Sequence, residues 1–226
     1  MASNNQTPEE NGIDILDKNL NDMSRRIATN KKAIYVAFGG IIAIAAITLG
    51  YIYLYKAPKT EKAFDAYNKV ELNANITDSV AAKEYKKVAD EYSGTDAGNI
   101  AALSAAESYY NIKNYKEAAK YLEKFSTKDE VLASNAKTLL GDCYVNLKQY
   151  DKALDAYNAA MRSAKGNKAI VPRILLKEAN VYDEQKKYAD ALNCYEAIKK
   201  DYPQFQLGNN VSIDAYIERE KARLGK

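Results

Sequence analysis

The chain has 226 residues, and its 33 lysines and arginines against 30 aspartates and glutamates leave a net charge of only +3. This size is typical of one domain, or of one domain with an anchor, and the small net charge argues against a nucleic-acid partner, because binding DNA or RNA requires clustered cations. Histidine is absent and the two cysteines, Cys143 and Cys194, are far apart in sequence, which excludes histidine-based catalysis, most zinc or iron sites and a disulfide framework.

Residues 1–32 form a polar tail that is predicted to be partly disordered. It begins MASNNQTPEENG, a stretch poor in apolar residues, which predicts a disordered start. Apolar residues then follow a 3-4-3-4 spacing that is typical of a short amphipathic helix, at Ile13, Leu16, Leu20, Met23 and Ile27. Such a helix could lie on the membrane or on a partner. Five acids and five cations make the tail neutral, so we expect only weak binding to anionic lipid.

Residues 33–55 form a run of 23 residues without a charge. As an α-helix this run would be about 34 Å long, which is enough to cross a bilayer with some tilt, so we predict a transmembrane helix over 33–55. The run is too long and begins too late for a cleaved signal peptide, and no cysteine follows it closely enough for a lipoprotein. Tyrosines near both ends suit the headgroup regions. We therefore expect contact with the lipid bilayer through this one helix.

The charges beside the span favour one orientation. The fifteen residues before it carry five cations and the fifteen after it carry four, a slight excess on the N-terminal side. Because positive flanks stay in the cytosol and long C-terminal domains can be translocated whatever their charge, we predict a single-pass topology with the N-terminus inside and the C-terminal part outside.

One face of the span is made of small residues: Gly39, Ala43, Ala46 and Gly50 follow a 4-3-4 spacing. Small residues allow a second helix to approach closely in lipid, so this stripe is a candidate membrane helix contact face. The alternative is that glycine and alanine are simply common in membrane helices.

A repeat with a period near 35 residues follows the span. The segment LLGDCYVNLKQYDKALDAYNAA, residues 139–160, has a pattern of small and aromatic positions that recurs 35 residues earlier and 38 residues later. The matching positions are Leu140, Gly141, Tyr144, Tyr150, Ala153, Tyr157 and Ala160, then Ala105, Ala106, Tyr109, Tyr115, Ala118, Leu122 and Phe125, and last Ala179, Tyr182, Tyr188, Ala191, Tyr195 and Ile198. This pattern resembles the tetratricopeptide family, in three units over 99–133, 134–171 and 172–205.

The resemblance implies stacked helical hairpins, in which the small residues let two helices touch and the aromatics fill the gap to the next hairpin. Residues 56–98 match only part of the pattern and are predicted to form a degenerate first hairpin. Residues 206–226 are predicted to form a capping helix, with Ile213, Tyr216, Ile217 and Leu224 on its apolar face. The predicted fold is all-α: a single N-terminal transmembrane helix, then a tetratricopeptide-repeat helical solenoid with a C-terminal capping helix.

In stacked hairpins the first helices line a concave face that suits an extended peptide or a helix. By repeat position, the candidate peptide- or partner-binding residues are Ile100, Leu103, Glu107, Tyr110, Asn111, Thr138, Asp142, Val145, Leu176, Asn180 and Asp183. Family members that clamp C-terminal carboxylates use lysine, asparagine and arginine on this face. Thr138 and Asp142 occupy those places here, which disfavours that function. Packing under the neighbouring helix is the alternative for Ile100, Leu103 and Leu176.

No catalytic motif is present: the sequence has no phosphate-binding P-loop, no dinucleotide-binding glycine pattern and no nucleophile elbow. Carboxylates on repeat helices are mostly solvated partners of lysine. We therefore expect no enzyme activity, no catalytic or metal-binding residues, no cofactor and no small-molecule substrate.

The order of short tail, single span and helical repeats resembles the YfgM-type ancillary subunits of the bacterial Sec translocon. This resemblance implies an inner-membrane protein with a cytosolic N-terminus and a periplasmic repeat domain, which acts beside SecYEG with a PpiD-like chaperone on unfolded or emerging polypeptides. Two alternatives stay open. One is a mitochondrial import receptor of the Tom20 type, favoured only by the acidic C-terminal end of the face; the other is a membrane-tethered regulator that binds a signalling protein through the Ile13–Ile27 stripe.

Overall fold

The computed structural model describes residues 12–207 and 212–225, apart from the side chains of 12–15, 26, 27 and 29. Within these residues it contains eleven α-helices, one π-helical segment and no strand, so the all-α prediction is confirmed. The helices are α1 Gly12–Thr29, α2 Lys31–Gly50, the π-helical Tyr51–Lys56, α3 Ala57–Glu71, α4 Asp78–Glu91, α5 Asp96–Asn111, α6 Tyr115–Lys124, α7 Glu130–Asn146, α8 Tyr150–Ala164, α9 Val171–Glu184, α10 Tyr188–Asp201 and α11 Ile213–Arg223. The predicted disordered start lies almost wholly outside the described residues.

The chain forms two compact units, Met1–Pro58 and Lys59–Lys226. In the first unit, none of the residues of α2 is buried. The Thr48 hydroxyl is satisfied within the helix, because its Oγ1 donates to the Ile44 carbonyl oxygen at 2.7 Å. Among the described residues, one helix is long and apolar enough to cross a membrane by length and composition; it begins at Lys31.

In the second unit, four helices, α5, α6, α7 and α11, begin at a residue whose side chain accepts a hydrogen bond from an amide of the first turn. Thr95 begins α5 by accepting a hydrogen bond from the Gly98 amide at 3.1 Å. Asp129 begins α7 in the same way by accepting from the Leu132 amide at 2.7 Å. Such side-chain caps satisfy amides that have no partner within the helix, and each is worth about 1 kcal/mol.

The three repeats share one turn between their first and second helices. Lys113, Lys148 and Lys186 all have positive φ, at 62°, 58° and 59°. In each turn the amide of the lysine and that of the following residue close back onto carbonyls at the end of the first helix. The lysines are 35 and 38 residues apart, which are the two spacings found in the sequence pattern, so the repeat extends to the backbone conformation.

The core lies between the helices of each hairpin, where small residues meet. The pairs Ala106 with Ala118, Gly141 with Ala153 and Ala179 with Ala191 are buried in the three successive repeats. A tyrosine or leucine of the second helix closes each contact, and Tyr157 and Tyr195 are at most 2% exposed. These are the small and aromatic positions of the repeat pattern, so the packing follows from the residue types.

The final helix, α11, covers the end of the last hairpin. Ile217 is buried there, while Ile213, Tyr216 and Leu224 are partly buried against the same core cluster. The Tyr216 ring centroid is 5.2 Å from that of Tyr195 in α10. This helix gives the apolar end of the solenoid a partner, as a capping helix must.

Candidate functional site

A cleft opens on the first helices of the repeats. It has a volume of about 200 Å³, and Tyr110 of α5, Asp142 and Asn146 of α7, and Asn180 and Glu184 of α9 contribute to its lining. The volume is below the range of about 300–1,000 Å³ that is usual for small-molecule pockets. Its lining from three successive first helices makes it instead a short groove along the repeats.

The floor of this cleft is a charged hydrogen-bond cluster. Lys177 Nζ lies 2.9 Å from each carboxylate oxygen of Asp142, and the buried Tyr157 donates to Asp142 Oδ1 at 2.7 Å. Burial, and next the nearby Asp142 carboxylate, raise the pKa of Tyr157, so its hydroxyl remains a donor. Since the three residues come from α7, α8 and α9, the cluster joins two hairpins and leaves Asp142 only 17% exposed.

The rim of the cleft carries polar side chains that face solvent. Asn146, Asn180 and Glu184 are exposed. Asn146 donates to the Asp142 carbonyl oxygen at 2.8 Å, and Glu184 accepts from Tyr150 at 2.9 Å. Within the part of the chain that the structure describes, the Asn180 amide has no hydrogen-bond partner, so both its donor and its acceptor are open to a ligand.

The structure brings together four of the residues that the sequence singled out: Tyr110, Asp142, Val145 and Asn180 line the cleft. Lys177 and Tyr157 also line the cleft, although the sequence did not indicate them as part of a site. The signal for Lys177 was its charge, opposite to that of Asp142, at three residues before Asn180, the position that matches Asp142 in the third repeat. For Tyr157 the repeat position was recognised, but only as packing.

Other predicted residues lie elsewhere. Leu103 and Leu176 are partly buried, each against a different core cluster, which agrees with the alternative that they pack under a neighbouring helix. Thr138 donates back to the Ser134 carbonyl oxygen of its own helix at 2.8 Å. Asn111 is exposed at the end of α5 and outside the lining of the cleft. None of these side chains contributes to the cleft.

Ile100 lines a second, larger cleft of about 900 Å³ near the starts of α5 and α7. The walls of that cleft are helix ends and the turns beside them. Asn99 joins α5 to the turn after α6 through two hydrogen bonds with the Ser126 backbone, at 2.7 and 3.0 Å. The side-chain amide of Asn99 is therefore satisfied within the fold and is not open to a ligand. Despite the larger volume, we take the smaller cleft as the candidate site, because the predicted first-helix residues converge there.

Asp183, the last predicted residue, is engaged by the capping helix. Arg219 and Arg223 of α11 lie 2.5 and 3.1 Å from its carboxylate oxygens. The neighbouring Glu220 is fully buried and also pairs with both arginines. Burial acts to raise the pKa of Glu220, but hydrogen bonds from the two arginines outweigh it and lower this pKa. The acidic end of the face is thus largely neutralised within the fold.

Glu107 lies in a separate tyrosine-rich cluster at the N-terminal end of the repeats. Tyr67 and Tyr85 both donate to Glu71 Oε2, at 3.0 and 2.6 Å. Burial, and next the like charge of Glu71, raise the pKa of Glu107. The sequence did not predict this cluster: Tyr67 and Tyr85 were recognisable only as packing positions of the degenerate first hairpin, and Glu71 carried no signal.

The described residues hold no group of three or more histidine, cysteine, aspartate and glutamate side chains that could bind a metal ion. Both cysteines are buried and free of a disulfide. Burial, as the first cause, raises the pKa of Cys143 and of Cys194 to about 12, so neither provides a thiolate nucleophile near neutral pH.

The small-residue stripe of the span lies on α2. A side-chain carbon added at Gly39 or at Gly50 would meet no atom within 4 Å, and Ala43 and Ala46 are exposed. Within the described chain, nothing covers this face.

Comparisons with known proteins identify the repeats. Tetratricopeptide-repeat family models match residues 103–168 and 173–204. A crystal structure of the MamA protein superposes with a TM-score of 0.56 at 20% identity, covering 74% of this chain and 83% of that one. A second MamA crystal structure gives a TM-score of 0.53 at 21% identity, covering 66% and 79%. At this identity the likeness shows the fold alone. No curated protein matches the chain.

Proposed function

We propose that the chain is a membrane-anchored scaffold whose first-helix cleft binds an extended polypeptide segment. Its tetratricopeptide repeats support this role, because such repeats serve as scaffolds for protein–protein interaction. The observation that carries the proposal is the cleft itself. Its rim offers the unpaired side-chain amide of Asn180, and in its floor the Asp142–Lys177 ion pair joins α7 to α9. A preorganised groove with an open side-chain amide can bind a main-chain donor and acceptor with little loss of entropy.

The apolar α2 supports anchoring in a bilayer. We propose that it holds the protein in the inner membrane, with the N-terminus in the cytosol and the repeats in the periplasm. The slight excess of cations before the span favours this orientation. An alkaline phosphatase fusion at Lys226 should be active, since that enzyme works only outside the cytosol. An inactive but intact fusion would reverse the proposed topology.

In this position the protein would act as an ancillary factor at the Sec translocon. We propose that it assists emerging polypeptides beside SecYEG, together with a PpiD-like chaperone. The support is the combination of one anchor helix, a short groove along the repeats and a span that has a small-residue face. The last of these suits contact with another membrane helix, because small side chains allow close packing in lipid.

A photocrosslinking amino acid at Asn180 tests binding in the cleft. In vesicles that contain SecYEG, it should crosslink to a stalled secretory polypeptide. Asn193, which is exposed on the second helix α10, is the matched control and should not crosslink. Equal crosslinking at both positions would show that the cleft has no special role.

The small-residue face is tested by a pair of double variants. Replacing Ala43 and Ala46 by leucine should leave membrane insertion intact, because leucine is favourable in lipid, but should weaken co-purification with SecYEG or the PpiD-like partner. Replacing Ile41 and Ile44 by leucine is the control and should change little. Equal partner recovery from both variants would remove the case for helix contact through this face.

The import-receptor alternative depended on the acidic C-terminal end of the face. Since Asp183 is paired with Arg219 and Arg223, that end has less charge available for a basic presequence. The regulator alternative depends on the apolar stripe of α1 as a surface for a signalling protein.

A further inference from the structure

The amphipathic helix α1 exposes a row of apolar side chains. Leu16, Leu20 and Met23 are 62%, 58% and 59% exposed, and no described residue covers them. They lie on one side of the helix, about 180° around its axis from Lys18. Ile13 and Ile27 complete the stripe in the sequence, but their side chains are not among those that the structure describes. Exposed leucines in a continuous row indicate a surface that has a partner.

The connection to the next helix restricts where this row can be. Helix α1 ends at Thr29 and α2 begins at Lys31, so a single residue joins them. At that residue, Asn30, the backbone leaves the helical region, with φ −113° and ψ 25°. The uncharged run begins at residue 33. If α2 is anchored as proposed above, the end of α1 therefore lies within a few residues of the lipid headgroups.

The composition of α1 favours the lipid surface over a second copy of the chain. Eighteen residues contain fewer than three heptads, which is short for a coiled coil. Three acids and three cations make the helix neutral, so it offers no net charge for a charged partner. A polar face opposite an apolar one is what an interfacial helix requires, with the apolar side chains about 5–10 Å below the headgroup boundary.

We propose that α1 is an interfacial helix, which lies along the bilayer surface and inserts Leu16, Leu20 and Met23 at the boundary between headgroups and acyl chains. This inference rests on the proposed membrane anchor. The anchor also makes it possible: a short neutral helix alone would bind lipid weakly, but the one-residue connection makes the second contact intramolecular. Because α1 is neutral, insertion does not depend on anionic lipid.

Spin labels in the full-length chain test this placement. Single cysteines replace Leu16, Leu20 and Met23 on the apolar side, and Lys18 and Asp22 on the other side. The native thiols are buried, so the parent chain serves as the labelling blank. Each labelled chain is placed in phosphatidylcholine vesicles, and its collision rates with oxygen, which enters lipid, and with a water-soluble nickel chelate are measured. An Ile44→Cys label reports on the anchor.

We expect a higher oxygen-to-nickel ratio at the three apolar positions than at Lys18→Cys and Asp22→Cys, with the same pattern after phosphatidylglycerol is added. Equal ratios at all five positions, with Ile44→Cys in lipid, would overturn the inference and leave the anchor standing. Apolar positions shielded from both reagents, with spin–spin broadening that disappears on dilution with unlabelled chain, would assign the row to a second copy. A nickel-accessible Ile44→Cys label would remove the anchor and the inference together.

Discussion

At Gly141 the first helix of a hairpin lies directly against an aromatic ring of the second helix. A β-carbon added there would lie 2.3 Å from Cε1 and 2.5 Å from Cδ1 of Tyr157. Favourable carbon contacts are about 3.5–4.0 Å long, so one of the two side chains must move. Tyr157 has little freedom to do so, because it is 2% exposed and its hydroxyl donates to Asp142. Even alanine is therefore too large at this position.

Two effects oppose each other in Gly141→Ala. Overpacking lowers the free energy of unfolding by about 1–3 kcal/mol, while replacing glycine by alanine inside a helix raises it by about 1 kcal/mol. The expected net loss is about 0–2 kcal/mol for alanine. For Gly141→Leu, whose further carbons enter the same contact, we expect a loss of about 1–3 kcal/mol. Since about 1 kcal/mol corresponds to 2–4 °C for a domain of this size, the leucine variant should melt about 2–12 °C lower.

Thermal unfolding of the detergent-solubilised chain, followed by far-UV circular dichroism, measures these losses. Asn135→Ala, on the exposed side of the same helix, is the control and should be neutral or slightly stabilising. In a Tyr157→Leu background the ring is gone, so Gly141→Ala should become stabilising by about 1 kcal/mol. A leucine variant as stable as the parent, or the same loss from alanine in both backgrounds, would refute the assigned contact.

Three further predictions concern titrating groups. Burial raises the pKa of Glu178, so the folded chain holds the carboxyl proton more tightly than the unfolded chain and loses stability as pH rises above about 4.3. Glu178→Leu should therefore raise the melting temperature more at pH 7 than at pH 4. A gain that is independent of pH would contradict this. Burial acts to raise the pKa of Asp90, but hydrogen bonds from two lysines and a tyrosine lower it, so its contribution is full above about pH 3.9 and disappears in acid. Asp90→Asn should then show a shallower loss of stability between pH 5 and pH 2 than the parent, and parallel curves would count against the pairing. Cys143 and Cys194 should react with a thiol reagent at pH 8 only after unfolding and should give no linked peptide in a non-reducing digest; rapid labelling of the native chain would disprove their burial.

The helices and the contacts within each hairpin could be predicted from the sequence. The small residue of the first helix and that of the second are 12 positions apart in all three repeats, as in Gly141 and Ala153. A contact between helices that a short turn joins needs only this local spacing. The capping helix was predictable for a similar reason, because its apolar positions repeat at the period of a single helix.

The charged contacts between hairpins were decided by the tertiary structure. Asp142 looked like an open binding residue, yet it pairs with Lys177; Asp183 looked equally open, yet two arginines of α11 engage it. The Glu220 side chain is fully buried, although the sequence of its helix, α11, is mostly polar. Composition and spacing indicate which face such a side chain is on. Its partner depends on how one hairpin is rotated against the next and on where long side chains end, and a periodic pattern along the chain carries neither quantity.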